Sequence, residues 1–230
     1  MDSCESLTSI QLLHAIGRKA SVRERVVCTA AVFVFRLAAI ASADGEDLLL
    51  RLTTALWMAS KVEEAPVSPS TLLDAVSKLG FGSASGFDAA ALIATECTML
   101  EALDFDLSTP AHPQMHVARI GHSLGAECPE ACLQTAFAIA NDCFRFDLVL
   151  RHPPHVLAGA CVYAAAAAHQ LPGREWLERL DAASVPAIEH AVAALCGAYA
   201  RCAAHDASAF DACVARLPRD ARRRAARRPA

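Results

Sequence analysis

Aromatic residues are scarce in this chain, 6% of 230 residues, although 54% of the residues are hydrophobic. The core must therefore be built from Ala, Leu and Val, whose small side chains favour closely packed helices. The ten cysteines contain no C-x-x-C pair. The N-terminus, MDSCESLTS, is acidic and polar and does not read as a secretory signal. Scattered cysteines in such an Ala-rich chain are expected to be buried, reduced thiols of a cytosolic or nuclear protein. The longest apolar run, from Val156 to Ala168, is too short to span a bilayer. No alternating strand pattern occurs. The Gly/Ser loop from Gly80 to Gly86 lacks the Lys-Ser/Thr of a phosphate loop and reads as a linker. His112 and His116 have i, i+4 spacing, but no general-base Glu accompanies them. Cys128 and Cys132 are only loosely spaced. These residues read as cap or surface histidines and ordinary thiols, so neither a metal nor a cofactor is expected. Cys28, Cys97 and Cys161 fall on apolar helix faces, where nothing nearby in sequence lowers a thiol pKa.

What is present is mostly helix. Thr8 reads as the N-cap of a first amphipathic helix carrying Ile10, Leu13 and Ile16. Ser21 with Glu24 reads as a capping box opening a second helix. Arg23, Arg25 and Arg36 lie on that helix, interrupted by Glu24, and suggest one solvated side. Ala43-Asp44-Gly45 is a turn. The central stretch runs from Asp47 to Glu64, DLLLRLTTALWMASKVEE. It is apolar almost all round until Lys61, Glu63 and Glu64, so it should be buried on most sides and surface at its charged end. Prolines 66 and 69 end it. A short helix follows from Thr71 to Leu79, then a fifth from Asp88 to Leu103, and an extended exit to Pro110. Five more helices are expected over 113–124, 129–141, 154–169, 172–181 and 185–203. Both halves share an order of lengths, so the economical reading is a duplicated five-helix unit. The expected domains are residues 1–109, 110–206 and a tail, 207–230.

The charge is uneven. From Arg216 onward there are seven arginines and one aspartate, a net +6, leaving −10 for the residues before it against −4 overall. The tail reads as a disordered arm, either a nuclear-import or nucleic-acid patch or a solvated end with no dedicated role.

Several strings resemble one family. Ala59-Ser60-Lys61-Val62-Glu63-Glu64 resembles the cyclin-box signature at the end of the third helix. Glu96 to Leu107, followed by Pro110, resembles the fifth helix of that box. Asn141-Asp142-Cys143-Phe144-Arg145-Phe146-Asp147-Leu148 with His152-Pro153-Pro154 is similar to the second box of the cyclin C branch. Ile10 to Leu13, and Val22 to Val26 through Phe35-Arg36, resemble that branch's first two helices. The likeness runs from about Thr8 to Leu217. Two features depart from it. Few residues precede Thr8, where the branch usually has an additional helix, and the Arg-rich tail has no counterpart.

The resemblance implies an all-α fold of two tandem five-helix cyclin boxes and no chemistry of its own. It implies a regulatory subunit that binds the small lobe of a cyclin-dependent kinase against its αC helix, in the nucleus, with the Mediator kinase module and RNA polymerase II transcription. Lys61 and Glu96 match the family's paired interface residues, and Val62, Leu100, Phe105 and Leu107 match the apolar surface around them. The residues alone leave a second possibility, an internal salt bridge between two packed helices. A TFIIB-like DNA-binding factor on the same duplicated fold is the competing function. It would need basic repeats, and the body is acidic. No small-molecule substrate, membrane or direct nucleic-acid contact is expected.

Overall fold

The computed structural model of the chain describes residues 3–40, 48–81, 87–110 and 112–203. The turn at 43–45, most of the Gly/Ser loop and the Arg-rich tail lie outside the described residues. Among those described there are helices and no strands. The residues form two compact units that meet in sequence at 108 and 109.

The first unit contains α1 (Ser3–Lys19), α2 (Glu24–Ile40), α3 (Leu48–Val62), α4 (Pro69–Val76) and α5 (Ala89–Ala102). α3 packs against all four of the others, which is why its sequence is apolar nearly all round. Leu52, Leu56 and Met58 on it are fully buried with Leu13, Ile16, Phe33 and Leu72. Gly17 permits the close approach of α1 and α2: a Cβ there would stand 2.7 Å from a Val27 methyl.

Helix starts differ from the sequence expectations in two places. α1 begins at Ser3, and Thr8 lies inside it with 2% exposure, so Thr8 is not the cap. Ser21 does not open α2. It has φ 55° and closes α1, with its N–H on the Arg18 carbonyl and the Val22 N–H on Gly17. That is a Schellman ending, with a left-handed residue in the place glycine usually takes. Glu64, Asp104 and Gln170 end their helices in the same way. At α4 the expected start moves back to Pro69. Ser68 caps it, accepting from the Thr71 N–H, and Pro69 supplies the first-turn φ.

The second unit contains α6 (Pro113–Leu124), α7 (Glu130–Asp142), a single turn α8 (Leu148–Arg151), α9 (Pro154–Ala168), α10 (Gly173–Asp181) and α11 (Val185–Ala203). α9 is the counterpart of α3: it packs on α6, α7, α10 and α11. The residues Val156 to Val162 are buried throughout. Its alanines let neighbouring helices come close. Cys28 in the first unit and Cys161 in the second are buried. Burial, with Glu24 and Glu63 nearby, pushes the Cys28 thiol up, and a hydrogen bond with Cys143, then burial, does the same to Cys161. Cys97 corrects the expectation, because it is exposed on the outer side of α5.

Candidate partner-binding face

The face is built where α3 ends and α5 leads out of the first unit. Lys61 lies in the last turn of α3, where a cation also complements the carbonyl end of the helix. Its ammonium forms an ion pair with Glu96 of α5. It also sits 3.7 Å from the centroid of the Trp57 ring. Trp57 is one turn back on the same helix, so the aromatic face holds the cation from one side and the carboxylate from the other. The Lys61 side chain is 41% exposed and that of Glu96 15%. The two charged residues thus meet as an ion pair between two packed helices, the internal salt bridge that the residues alone had left open.

The neighbouring carboxylate behaves differently. Glu63 is 6% exposed and turns inward to Arg25 at the start of α2. The Thr29 hydroxyl donates to it over 2.6 Å. Of the charged cluster at the end of α3, Lys61 and Glu64 face solvent while Glu63 ties α3 to α2.

The exit from α5 presents the apolar part. Leu103 is buried and anchors the turn. Phe105 follows with φ 57° and 69% exposure, while its N–H donates to the Leu100 carbonyl over 2.8 Å. A bulky aromatic in the left-handed region is strained backbone, which persists only where the surroundings determine it. Here the determinant is Arg36 of α2. Its guanidinium donates to the carbonyls of Asp106 and Ser108 at 2.9 and 3.0 Å and to the Asp106 carboxylate at 3.0 Å. The Ser108 N–H and hydroxyl also donate to Asp106. Those two bonds, and Arg36 less strongly, hold the Asp106 carboxyl below its usual pKa. Arg36 is thus a clamp and not part of a solvated basic side. Val62, Leu100 and Leu107 are half-buried over the core beneath this face.

Lys61, Val62, Glu96, Leu100, Phe105 and Leu107 are the residues expected here from the sequence. Sequence reasoning missed Trp57 and Arg36. Trp57 carried a signal, its i, i+4 spacing to Lys61. Arg36 carried none, because its partners lie 70 and 72 positions away. His112 and His116 of the second unit have different neighbours, and His112 stands at the N-cap position of α6. His112 lies against Phe144, with centroids 5.0 Å apart, while His116 meets His155 of α9.

Residues 7–108 match the family model described as the cyclin N-terminal domain. Cyclin-C1-1 of Oryza sativa subsp. japonica is 31% identical over 166 residues, 72% of this chain and 63% of that protein. Cyclin-C of Rattus norvegicus is 30% identical over 178 residues, 74% of this chain and 63% of that one. The RNA polymerase II holoenzyme cyclin-like subunit of Yarrowia lipolytica is 28% identical over 158 residues, 66% of this chain and 55% of that one. The chain thus spans less than two thirds of the length of these relatives. Among solved structures, a chain of the CAK complex of Chaetomium thermophilum superposes with TM-score 0.72 at 18% identity, covering 94% of this chain and 70% of that chain. A chain of the yeast RNA polymerase II CTD kinase CTDK-1 complex gives 0.59 at 18%, covering 73% and 56%. These two show the shared fold.

The all-helical first unit, with α3 at its centre, is a cyclin N-terminal domain. The chain that carries it is a cyclin C-like protein.

Proposed function

We propose that the chain is a regulatory subunit, not a catalyst, that binds and activates a cyclin-dependent kinase acting in RNA polymerase II transcription. The observation that supports this reading is the pairing of Lys61 with Glu96 across α3 and α5, together with an exposed, strained Phe105 at the exit of α5. An ion pair at the edge of half-buried apolar surface suits a face that a partner covers. Kinase catalysis needs an αC glutamate paired with the active-site lysine, and a partner pressing on αC holds it inward. In this reading the α3 and α5 face does the pressing. Lys61 and Glu96 turn part of their hydrogen-bonding capacity to the kinase, and Phe105 fills an apolar recess on it. The names of the relatives and the kinase complexes among the structural neighbours support the same partner class. Work within the Mediator kinase module, a nuclear location, a second cyclin box over 110–206 and a basic arm over 207–230 belong to the same proposal.

Affinity purification of the tagged chain with mass spectrometry, beside a Lys61→Ala, Glu96→Ala variant, tests it. The expected result is a protein kinase recovered with the wild-type chain and lost with the folded variant. Recovery of DNA or polymerase components without any kinase would favour a TFIIB-like role instead.

A further inference from the structure

The second unit contains a cavity of about 450 Å³ that the partner-binding face does not use. Its size lies within the range of about 300–1,000 Å³ typical of small-ligand sites. α6, α9, α10 and α11 build it. Ile120, Leu177 and Ile188 supply apolar walls. Gly159 also lines it, and its missing side chain is what lets Ile188 lie against α9: a Cβ there would be 2.6 Å from the Ile188 Cδ1.

The polar lining is lopsided. Arg119 and His116 come from α6 and His155 from the first turn of α9. The two imidazoles meet edge to face, with centroids 6.3 Å apart. Arg119 has no carboxylate partner among the described residues. One carboxylate, Asp181, also lines the cavity, but it accepts the Ser184 hydroxyl over 2.6 Å. The Ser123 hydroxyl is used within α6, on the Arg119 carbonyl. Three groups that carry or can take up positive charge therefore share the site with a single carboxylate, Asp181. Burial first, and then the neighbouring Arg119 and His155, hold the His116 pKa below its ordinary value. The first turn of a fifteen-residue helix adds positive potential at His155.

We propose that this cavity binds a small organic anion, a carboxylate or phosphate carried on an apolar body. The anionic head meets Arg119, His116 and His155, and the body lies against Ile120, Leu177 and Ile188. Arg119 offers the paired donors that suit either head group.

The test uses the full chain and four probes followed by calorimetry: benzoate, phenyl phosphate, inorganic phosphate and benzylamine. Benzoate or phenyl phosphate is expected to bind at least about tenfold more tightly than inorganic phosphate or benzylamine. The tighter of the first two identifies the head group. Arg119 and His155 are exposed, so Arg119→Gln and His155→Gln should keep the fold, as circular dichroism would verify. Each should weaken the preferred probe about tenfold. Benzylamine binding best would mean that Asp181 governs the cavity and would overturn the proposal. So would probe affinity unchanged in Arg119→Gln, or binding of neither organic anion at millimolar concentration. Kinase recovery depends on the other unit's face, so either result is independent of that reading.

Discussion

Arg36 on α2 holds Asp106 at the exit of α5, donating to both its carbonyl and its carboxylate. The same guanidinium reaches the Ser108 carbonyl. Three bonds from one cation fix the segment that carries Phe105. The Arg36 side chain is 21% exposed, so the clamp is partly shielded from solvent. Arg36→Ala is expected to destabilise the chain by about 1–3 kcal/mol, because a charged hydrogen-bond donor is removed and two carbonyls lose it. Helix content should stay unchanged, since the segment that the clamp holds, at Asp106 and Ser108, lies outside the helices. Urea denaturation with circular dichroism measures both.

Phe105 should show opposite effects on stability and on binding. Its left-handed backbone costs the free chain about 1–3 kcal/mol, and its ring is 69% exposed. Phe105→Asn, whose residue tolerates that conformation, is expected to stabilise the free chain by roughly 0.5–1 kcal/mol. The same change removes a side chain whose full burial is worth about 1.5–3 kcal/mol to a complex. Equal loss of stability and binding would mean that Phe105 is merely structural. Denaturation of the free chain and titration with the kinase separate the two.

Lys61 and Glu96 should matter more to binding than to stability. Their pair is partly solvated, so Lys61→Ala or Glu96→Ala should change stability by no more than about 1 kcal/mol. In a complex that dries the face, each should cost about 2–5 kcal/mol of affinity. A large loss of stability would instead make the pair a strut between α3 and α5.

Gly159→Ala is expected to destabilise the second unit by about 1–3 kcal/mol, as overpacking does. The new methyl would stand 2.6 Å from Ile188 Cδ1 and 2.9 Å from Cγ1. Ile188→Val removes Cδ1, so the double variant should be more stable than additivity predicts. Thermal unfolding of the four proteins of the cycle measures the coupling.

The second unit should also weaken in acid. His116 and His152 both have lowered pKa values. Burial is the first cause for each, followed by Arg119 and His155 for His116, and by His190 and Arg151 for His152. The unfolded chain then binds protons more readily than the folded one, so stability rises with pH. The contribution is fully present above the ordinary histidine value of 6.5 and is lost as pH falls through it toward the folded values. Denaturant titrations between pH 7.5 and 5 should show this slope, and His116→Asn with His152→Asn should reduce it.

Helix positions were readable in the sequence because burial imposes the apolar period, most plainly in α3 and α9, which touch every long helix of their own units. Helix ends were less readable. Ser21 carried a capping-box pattern, yet its backbone closes the preceding helix, and no sequence pattern marks Ser21, Glu64, Asp104 or Gln170 as left-handed. The Lys61 and Glu96 pairing was legible through family resemblance, since 34 intervening residues separate the two in sequence. Trp57 under Lys61 could have been read from local spacing. The Arg36 clamp could not, because an arginine near an acidic residue on a helix looks solvated until the fold returns a distant segment to it.

In the proposed reading the α3 and α5 face activates a kinase. The most direct measurement is phosphotransfer by the kinase recovered with this chain, assayed alone, with the wild-type chain, and with the folded Lys61→Ala, Glu96→Ala variant. Strong stimulation by the wild-type chain and little by the variant at the same concentration is the expected result. Equal stimulation by both, or none by the wild-type chain, would contradict that reading.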